Sequence, residues 1–219
     1  MSHRILVINP NSSADVTQRM SRALDGLRFE GGPRIDCMTL AEGPPGIETD
    51  RHIAEVAGPI VAAVEREQNA TSAFVIACFS DPGLFAAREA SRVPVYGIAQ
   101  CGYAAAMAIG ERFGVISILP RGVVRHRRHI ASLGLLNRLA GDIAIDMGVT
   151  ELGQGEKVLA RMGAVGQSLK EAGADVVVMG CAGMAQYRRP LEERLGIPVI
   201  DPTQAATAMA LNAVQAATL

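Results

Sequence analysis

The stretch AFVIACFSDPG, residues 73–83, carries the feature that decides the fold: an apolar run that ends in a cysteine and is followed by a polar turn. A short apolar run bounded by a Pro-Gly break is typical of a buried β-strand. A cysteine within such a strand is usually a small buried hydrophobe. Cys78, however, takes the last position of the run, and the carboxyl ends of parallel strands are where α/β proteins bind ligands.

The chain repeats itself after about 100 residues, and the cysteine segments are the clearest pair. In DVVVMGCAGMA, residues 175–185, Cys181 takes the place of Cys78, an offset of 103 (78 to 181). Pairs of segments that recur in the same order indicate two α/β lobes. The other pairs are ILVINP (5–10) with VISILP (115–120), an offset of 110, and VPVYGIAQ (93–100) with IPVIDPTQ (197–204), an offset of 104.

Short β-branched runs alternate with longer alanine-rich segments along the whole chain. This alternation predicts an α/β fold with two pseudo-symmetric lobes, each a mostly parallel sheet flanked by helices. The predicted N-terminal lobe comprises residues 1–98 plus about 205–219, and the C-terminal lobe 99–204, with the active site in the cleft between them. Strands are predicted at 5–9, 34–40, 73–77, 93–97, 112–118, 143–146, 175–180 and 197–201.

Composition and charge argue against several classes of function. The net charge is −1 over 219 residues, whereas nucleic-acid-binding proteins are normally basic. No run approaches the roughly 18 apolar residues that span a membrane, and the first apolar run is too short for a signal peptide. The four cysteines form no CxxC or Cys/His cluster, so we expect neither disulfides nor a metal site. We expect a cytoplasmic protein that acts on a small molecule without a cofactor, and that binds neither nucleic acid nor membrane.

Two thiols at equivalent strand ends indicate a specific chemistry. If the lobes face each other about an approximate two-fold axis, Cys78 and Cys181 point into one cleft from opposite sides. A thiolate on one face can remove a proton from an acidic carbon while a thiol on the other face returns one, which inverts the centre without a cofactor. A helix N-terminus beside each thiol predicts a lowered thiol pKa. Backbone N–H groups in the turns are expected to bind the negative charge of the intermediate.

These motifs resemble the hydantoin racemases, with the related allantoin racemases, of the aspartate/glutamate racemase superfamily. The resemblance spans nearly the whole chain and is carried by NPNSS near the start, GPPGIE (43–48), ACFSDPG around Cys78 and GCAGM around Cys181. It implies an Asp/Glu racemase-like fold of two lobes, cofactor-independent racemisation of 5-substituted hydantoins, and a homo-oligomer. It also implies that Cys78 and Cys181 are the catalytic acid/base pair.

The residues beside the cysteines favour a neutral ring as substrate. Amino-acid racemases of the superfamily tend to carry Cys-Asn-Thr and Cys-Thr, whose polar side chains hold the substrate carboxylate. Phe79 and Ala182 offer no such donor here. The alternatives that stay open are an aspartate/glutamate-type amino-acid racemase, a cis–trans isomerase of the same superfamily, and a non-catalytic small-molecule sensor. The predicted substrate-binding residues are Asn9, Phe79, Ser80, Ser117, Leu119, Ala182 and Gly183.

Other polar residues are interpreted as structural. Asn11 is predicted to cap the first helix, and Asp81 is predicted to be structural rather than a ligand contact. The run RHRRH (125–129) predicts a solvated helix face or a subunit contact rather than a metal site. The loop GPPGIE (43–48) either covers the cleft or only connects two elements. The repeat aligns Ser117 with Val7, an apolar residue, so packing alone does not explain a hydroxyl at this position.

Overall fold

A computed structural model describes residues 3–217, which form two parallel β-sheets of four strands each. The strands are β1 (Arg4–Asn9), β2 (Arg34–Thr39), β3 (Ala73–Ile76), β4 (Val95–Gly97), β5 (Phe113–Ser117), β6 (Leu139–Ala144), β7 (Val176–Met179) and β8 (Val199–Ile200). The strand orders are β2-β1-β3-β4 and β6-β5-β7-β8, so the two sheets have the same topology. Every residue of β3 and β7 is buried, as expected for central strands covered on both faces. The predicted fold class is confirmed.

Eight α-helices cover the sheets in the described part of the chain, and side chains fix where several of them begin. Ser13 caps the first helix through its hydroxyl, which accepts the N–H of Val16, and Thr49 caps the second in the same way. No helix among residues 3–217 is long and apolar enough to cross a bilayer. The helices are α1 (Ala14–Ala23), α2 (Asp50–Glu67), α3 (Leu84–Ala90), α4 (Ile98–Ile109), α5 (Pro120–Ser132), α6 (Glu156–Glu171), α7 (Arg188–Leu195) and α8 (Pro202–Ala216).

Two helices cross between the sheets. Helix α4 follows β4 of the first sheet but packs against β7 and β5 of the second. Helix α8 follows β8 of the second sheet and packs against β3 and β1 of the first. The two helices also pack on each other, and at this contact a Cβ added to Gly102 would lie 3.0 Å from Cβ of Pro202. The lobes are therefore joined through the middle of the molecule.

The strand pairing gives the register of the repeat. Ile8 pairs with Ile76, and Ile116 pairs with Met179. Since Ile76 and Met179 each lie two residues before a cysteine, Ile8 and Ile116 are equivalent, an offset of 108 (8 to 116). The sequence alignment, with its offset of 110, was wrong by two residues.

This shift changes the partner of Ser117. In the structure Ser117 is equivalent to Asn9, the last residue of β1, and not to Val7. A shift of two residues keeps every strand side chain on the same face of the sheet, so the apolar pattern could not detect it. The correction places Asn9 and Ser117 at matching ends of the two strands that neighbour the cysteine-bearing strands.

Asp81, in the turn that follows Cys78, fixes that turn to helix α4. Its carboxylate oxygens accept the N–H groups of Ala99 and Gln100, both at 2.9 Å. Gly97, at the N-cap of α4, has no side chain of its own, and an added Cβ would lie 2.3 Å from Cγ of Asp81. Burial raises the pKa of Asp81 to about 7, although the two N–H bonds oppose this. The structural role assigned to Asp81 agrees with these contacts.

Candidate active site

The two cysteines predicted to be catalytic line one cavity between the lobes. Cys78 lies two residues beyond the end of β3, and Cys181 lies two residues beyond the end of β7. The thiols are close enough that a charge on Cys181 disfavours ionisation of Cys78. The repeat therefore brings both sulfurs to one enclosed space.

Both thiols have raised pKa values, which contradicts the lowered values predicted from sequence. Burial, followed by the proximity of Cys181, raises the pKa of Cys78 to about 12. Burial raises the pKa of Cys181 to about 11. The N–H groups of Ser80 and Gly183 bond the sulfurs of Cys78 and Cys181 and lower their pKa values, but the loss of water outweighs these bonds.

The helix predicted beside Cys78 begins too late to influence the thiol. Helix α3 starts at Leu84, after a turn in which Asp81 has φ 44° and Gly83 has φ 66°. Cys181 does precede a helix directly, but it is the short 3₁₀ helix Ala182–Tyr187. The positive end of a long helix dipole is thus missing at both thiols.

Four of the predicted substrate-binding residues line the cavity and three do not. Phe79, Ser80, Ala182 and Gly183 form part of the wall, because each lies within two residues of a cysteine. The ring of Phe79 also reaches into the core, where it contacts Tyr103 edge-on with the ring centroids 5.3 Å apart. The structure places Asn9, Ser117 and Leu119 away from the wall.

Asn9 lies behind Asn11, the residue that was interpreted only as a helix cap. Asn9 has no exposed surface, and its Nδ2 donates to Oδ1 of Asn11 at 2.9 Å and to Oγ1 of Thr17 at 2.9 Å. Asn11 accepts the N–H of Ser13 and also lines the cavity. Asn11, and not Asn9, is therefore the residue at the cavity wall, and Asn9 holds Asn11 in place.

Ser117 likewise lies behind a residue of the wall. Its Oγ is 3.0 Å from Nδ1 of His126 and bonds Oδ1 of Asp142. His126 lines the cavity and is 3% exposed, so it departs from the solvated helix face predicted for RHRRH, whereas Arg127 and Arg128 are exposed. Helical spacing was the missed signal: the buried residues of α5 are Gly122, His126 and Ile130, four residues apart.

Arg125 is a second residue of the wall that the sequence interpretation missed. Its Nε donates to Oγ of Ser80 at 2.9 Å, and its Nη1 lies 3.5 Å from the carbonyl of Glu48. Its positive charge lowers the pKa of Cys78. Arg125 thereby connects α5 of the second lobe to the turn that carries Cys78.

The loop 43–48 closes the cavity from the first lobe. Ile47 lines the cavity together with Val149 of the second lobe, whose N–H donates to Oε1 of Glu48 at 3.0 Å. A Cβ on Gly46 would lie 2.8 Å from Cβ of Val149, so the loop and Val149 are in close contact. The enclosed volume is about 30 Å³, far below the roughly 300–1,000 Å³ of ligand pockets. The cleft is therefore narrow in this structure.

A larger groove of about 710 Å³ lies elsewhere, between α1 and α7. Among the described residues that line it there is no cysteine, histidine or acid, and its charged residues are Arg19, Arg22, Arg188 and Arg189. Residues 3–217 hold no group of three or more His, Cys, Asp or Glu side chains that could bind a metal. The two thiols thus lie in the small cavity and not in the larger groove.

Comparison with known proteins shows the family. The family described as Asp/Glu/Hydantoin racemase matches residues 5–210. The chain belongs to this family. It is 38% identical to a hydantoin racemase of Paenarthrobacter aurescens over 215 residues, which are 94% of this chain and 89% of the relative. This racemase is therefore an isomerase, as predicted.

Solved structures of relatives have the same fold. The family member resembles allantoin racemase from Klebsiella pneumoniae with a TM-score of 0.90 and 34% identity, covering 100% of this chain and 89% of the other. It also resembles allantoin racemase from Pseudomonas fluorescens with a TM-score of 0.91 and 26% identity, covering 98% and 92% of the two chains.

Proposed function

We propose that this racemase interconverts the D and L forms of 5-monosubstituted hydantoins, with allantoin among the candidates, by proton transfer between Cys78 and Cys181. The observation that carries the proposal is the placement of two thiols, at equivalent strand ends, around one enclosed cavity. Relatives named hydantoin racemase and allantoin racemase support the substrate class. A cytoplasmic location and a homo-oligomeric state are part of the same proposal.

The proposed reaction is balanced without a cofactor. The thiolate of one cysteine takes the proton from C5, and the electron pair of that C–H bond delocalises onto the C4 carbonyl oxygen as an enolate. The thiol of the other cysteine then gives its proton to the opposite face of C5. The thiol and thiolate have exchanged places, so the enzyme is ready for the other enantiomer.

The raised thiol pKa values fit this role. A thiolate whose conjugate acid has a pKa of about 11 or 12 is a stronger base than an ordinary one, and a carbon acid requires a strong base. The N–H groups of Ser80 and Gly183 stabilise the thiolates, and Arg125 places a positive charge beside Cys78. We include the loop 43–48 in the proposal as a lid that opens for the substrate and excludes water when closed.

Single-cysteine variants test the two-base mechanism. In D₂O, Cys78→Ser and Cys181→Ser should each lose racemisation, because one face of C5 has no proton donor. Each variant should still exchange the C5 proton of one enantiomer, since the remaining thiolate reaches one face, and the two variants should prefer opposite enantiomers. Polarimetry measures racemisation and NMR measures the exchange.

Cys37→Ser is the matched control, because Cys37 is also partly buried but does not line the cavity. This variant should racemise at the wild-type rate. Full racemisation by either Cys78→Ser or Cys181→Ser would exclude the two-base mechanism. Exchange of both enantiomers by one variant would exclude the assignment of one thiol to each face.

An aspartate/glutamate-type amino-acid racemase is the second candidate, and one observation favours it. Arg125 lines the cavity and could bind a substrate carboxylate, a role that neither Phe79 nor Ala182 can fill. Against this, Arg125 already bonds Ser80 and lies near the carbonyl of Glu48. Polarimetry with allantoin, benzyl- and isopropylhydantoin, aspartate and glutamate separates the two candidates.

A further inference from the structure

A buried cluster of three polar side chains adjoins the cavity on the side of the second lobe. Nδ1 of His126 is 3.0 Å from Oδ2 of Asp142 and 3.0 Å from Oγ of Ser117, and Ser117 also bonds Oδ1 of Asp142. The side chains of His126 and Asp142 are 4% and 2% exposed. Of the three residues only His126 lines the cavity.

The hydrogen bonds of this cluster determine which nitrogen faces the ligand. A carboxylate only accepts hydrogen bonds, so Nδ1 of His126 carries the proton that it donates to Asp142. In the neutral form of such an imidazole, the lone pair is on Nε2. Nε2 makes no hydrogen bond to any of the described residues 3–217, and it is not enclosed by them. Because His126 lines the cavity, Nε2 is the ring nitrogen left to contact a ligand there.

The first lobe has a matching arrangement. Asn9 is equivalent to Ser117 by strand register, and each is fully buried at the end of the strand beside the cysteine-bearing strand. Asn9 holds Asn11 on the cavity wall as Ser117 holds His126. Each lobe thus contributes one polar side chain to the cavity wall, Asn11 from the first and His126 from the second, and a buried residue at a strand end holds it.

Stability alone does not account for the cluster. Removing a carboxylate from water is costly, so a buried, hydrogen-bonded carboxylate is often no more stabilising than well-packed apolar residues of the same volume. A buried Asp–His pair next to a cavity is instead the usual way to fix the tautomer and orientation of an imidazole that acts on a ligand. Phe79, beside Cys78, holds the other side of the imidazole edge-on at a centroid distance of 5.0 Å.

We propose that His126 determines substrate specificity by accepting a hydrogen bond at Nε2 from a ring N–H of a cyclic imide or ureide, with Asp142 and Ser117 as positioning residues. The proposal rests on the hydantoin racemase function proposed above and names a further residue of that site. A hydantoin has two such N–H groups, N1–H beside C5 and N3–H between the carbonyls. Only one of them can meet Nε2 while C5 lies between the two thiols.

N-methylated substrates test this bond. The wild type should racemise 5-benzylhydantoin and one of its N1-methyl and N3-methyl derivatives at comparable kcat/KM, and the other derivative at least about tenfold more slowly. His126→Leu should lose this discrimination, because no acceptor remains for the N–H. His126→Gln should retain part of it, because its amide oxygen can occupy the place of Nε2.

His126→Leu leaves the buried carboxylate of Asp142 without its histidine partner, which can destabilise the fold. The double variant His126→Leu/Asp142→Asn removes that charge and is measured alongside it. Asp142→Asn alone should also reduce the discrimination, since an amide N–H facing Nδ1 moves the imidazole proton to Nε2. His129→Gln is the matched control on the same helix. It lies outside the cavity wall and should discriminate like the wild type.

The outcomes separate this inference from the proposed function. A wild type that racemises hydantoins but treats both methyl derivatives alike overturns the role of His126 and leaves the two-thiol mechanism standing. Unchanged discrimination between the two methyl derivatives in His126→Leu and in the double variant also overturns the role of His126. A wild type that racemises no hydantoin overturns the proposed function itself.

Discussion

At the scale of single residues, the cleft combines two thiols with pKa values of about 11 and 12 and a few groups that stabilise their ionised forms. Burial makes each thiolate scarce at neutral pH but strongly basic when it forms. The N–H groups of Ser80 and Gly183 and the charge of Arg125 reduce the cost of forming it. The same enclosure thus sets both the base strength of the cysteines and the fraction of them that is ionised.

The pH dependence of alkylation measures these thiolates directly. Because only the thiolate reacts, iodoacetamide should label Cys78 and Cys181 slowly at pH 7, and the rate should rise about tenfold per pH unit up to about pH 10. Peptide mass spectrometry gives the rate at each cysteine. Glutathione in the same samples is the control, and its rate should level off above its ordinary pKa. A plateau below pH 8 at either cysteine would contradict the raised pKa values.

The position of both thiols after a strand could be predicted from the sequence, because Cys78 and Cys181 follow equivalent apolar runs in the repeat. Asn9 and Ser117 were predicted at the right edge of each sheet, but a sequence does not show whether a side chain reaches the cavity or the layer behind it. His126 was misinterpreted because the arginines around it dominate the run RHRRH. The pKa direction failed because burial, which a sequence does not show, outweighs the local hydrogen bonds.

At the scale of elements, the loop 43–48 joins the lobes across the cavity. Its glycines are required by close approach: a Cβ on Gly43 would lie 2.2 Å from the carbonyl oxygen of Pro10. Ser12 donates its N–H to the carbonyl of Pro44 at 3.0 Å, and Glu48 accepts the N–H of Val149 at 3.0 Å. The loop is thus attached to the first lobe through Pro44, and to the second lobe through the carboxylate and the carbonyl of Glu48.

Removing that carboxylate should favour the open loop. Glu48→Ala loses the acceptor for the N–H of Val149, so we expect kcat/KM to fall about tenfold, while the free energy of unfolding changes little. Glu48→Gln keeps an acceptor oxygen, so its kcat/KM should fall less. Steady-state kinetics with urea denaturation measures both effects. Equal activity of wild type and Glu48→Ala would show that closure does not depend on this bond.

At the scale of the whole molecule, two sheets of equal topology are joined by exchanged helices. The alternation of strands and helices was enough to predict the sheets, and the repeat was enough to predict the lobes. The predicted bounds, with residues 99–204 in the second lobe and about 205–219 in the first, assign the helix after each lobe's last strand to the other lobe. The structure shows that α4 and α8 both cross.

The contact between the crossing helices should be sensitive to volume. Gly102→Val would place a Cβ 3.0 Å from Pro202, next to Cγ1 of Val178 at 3.2 Å, and we expect a loss of about 1–3 kcal/mol in the free energy of unfolding. Urea denaturation measures the loss. Gly58→Ala in α2 is the control and should change the free energy of unfolding by less than about 1 kcal/mol, because the gain in helix propensity is opposed by the following Pro59. Unchanged stability of Gly102→Val would mean that α4 and α8 can move apart to accommodate the larger side chain without a loss of stability.

The exchange of helix α8 has a consequence for synthesis of the chain. The first sheet is formed by residues 4–97, yet α8, which packs on its strands β1 and β3, comprises Pro202–Ala216 near the opposite end of the sequence. While a ribosome makes the second lobe, one apolar face of the first sheet is left without its covering helix. The first sheet can therefore complete its core only after the second lobe has been synthesised.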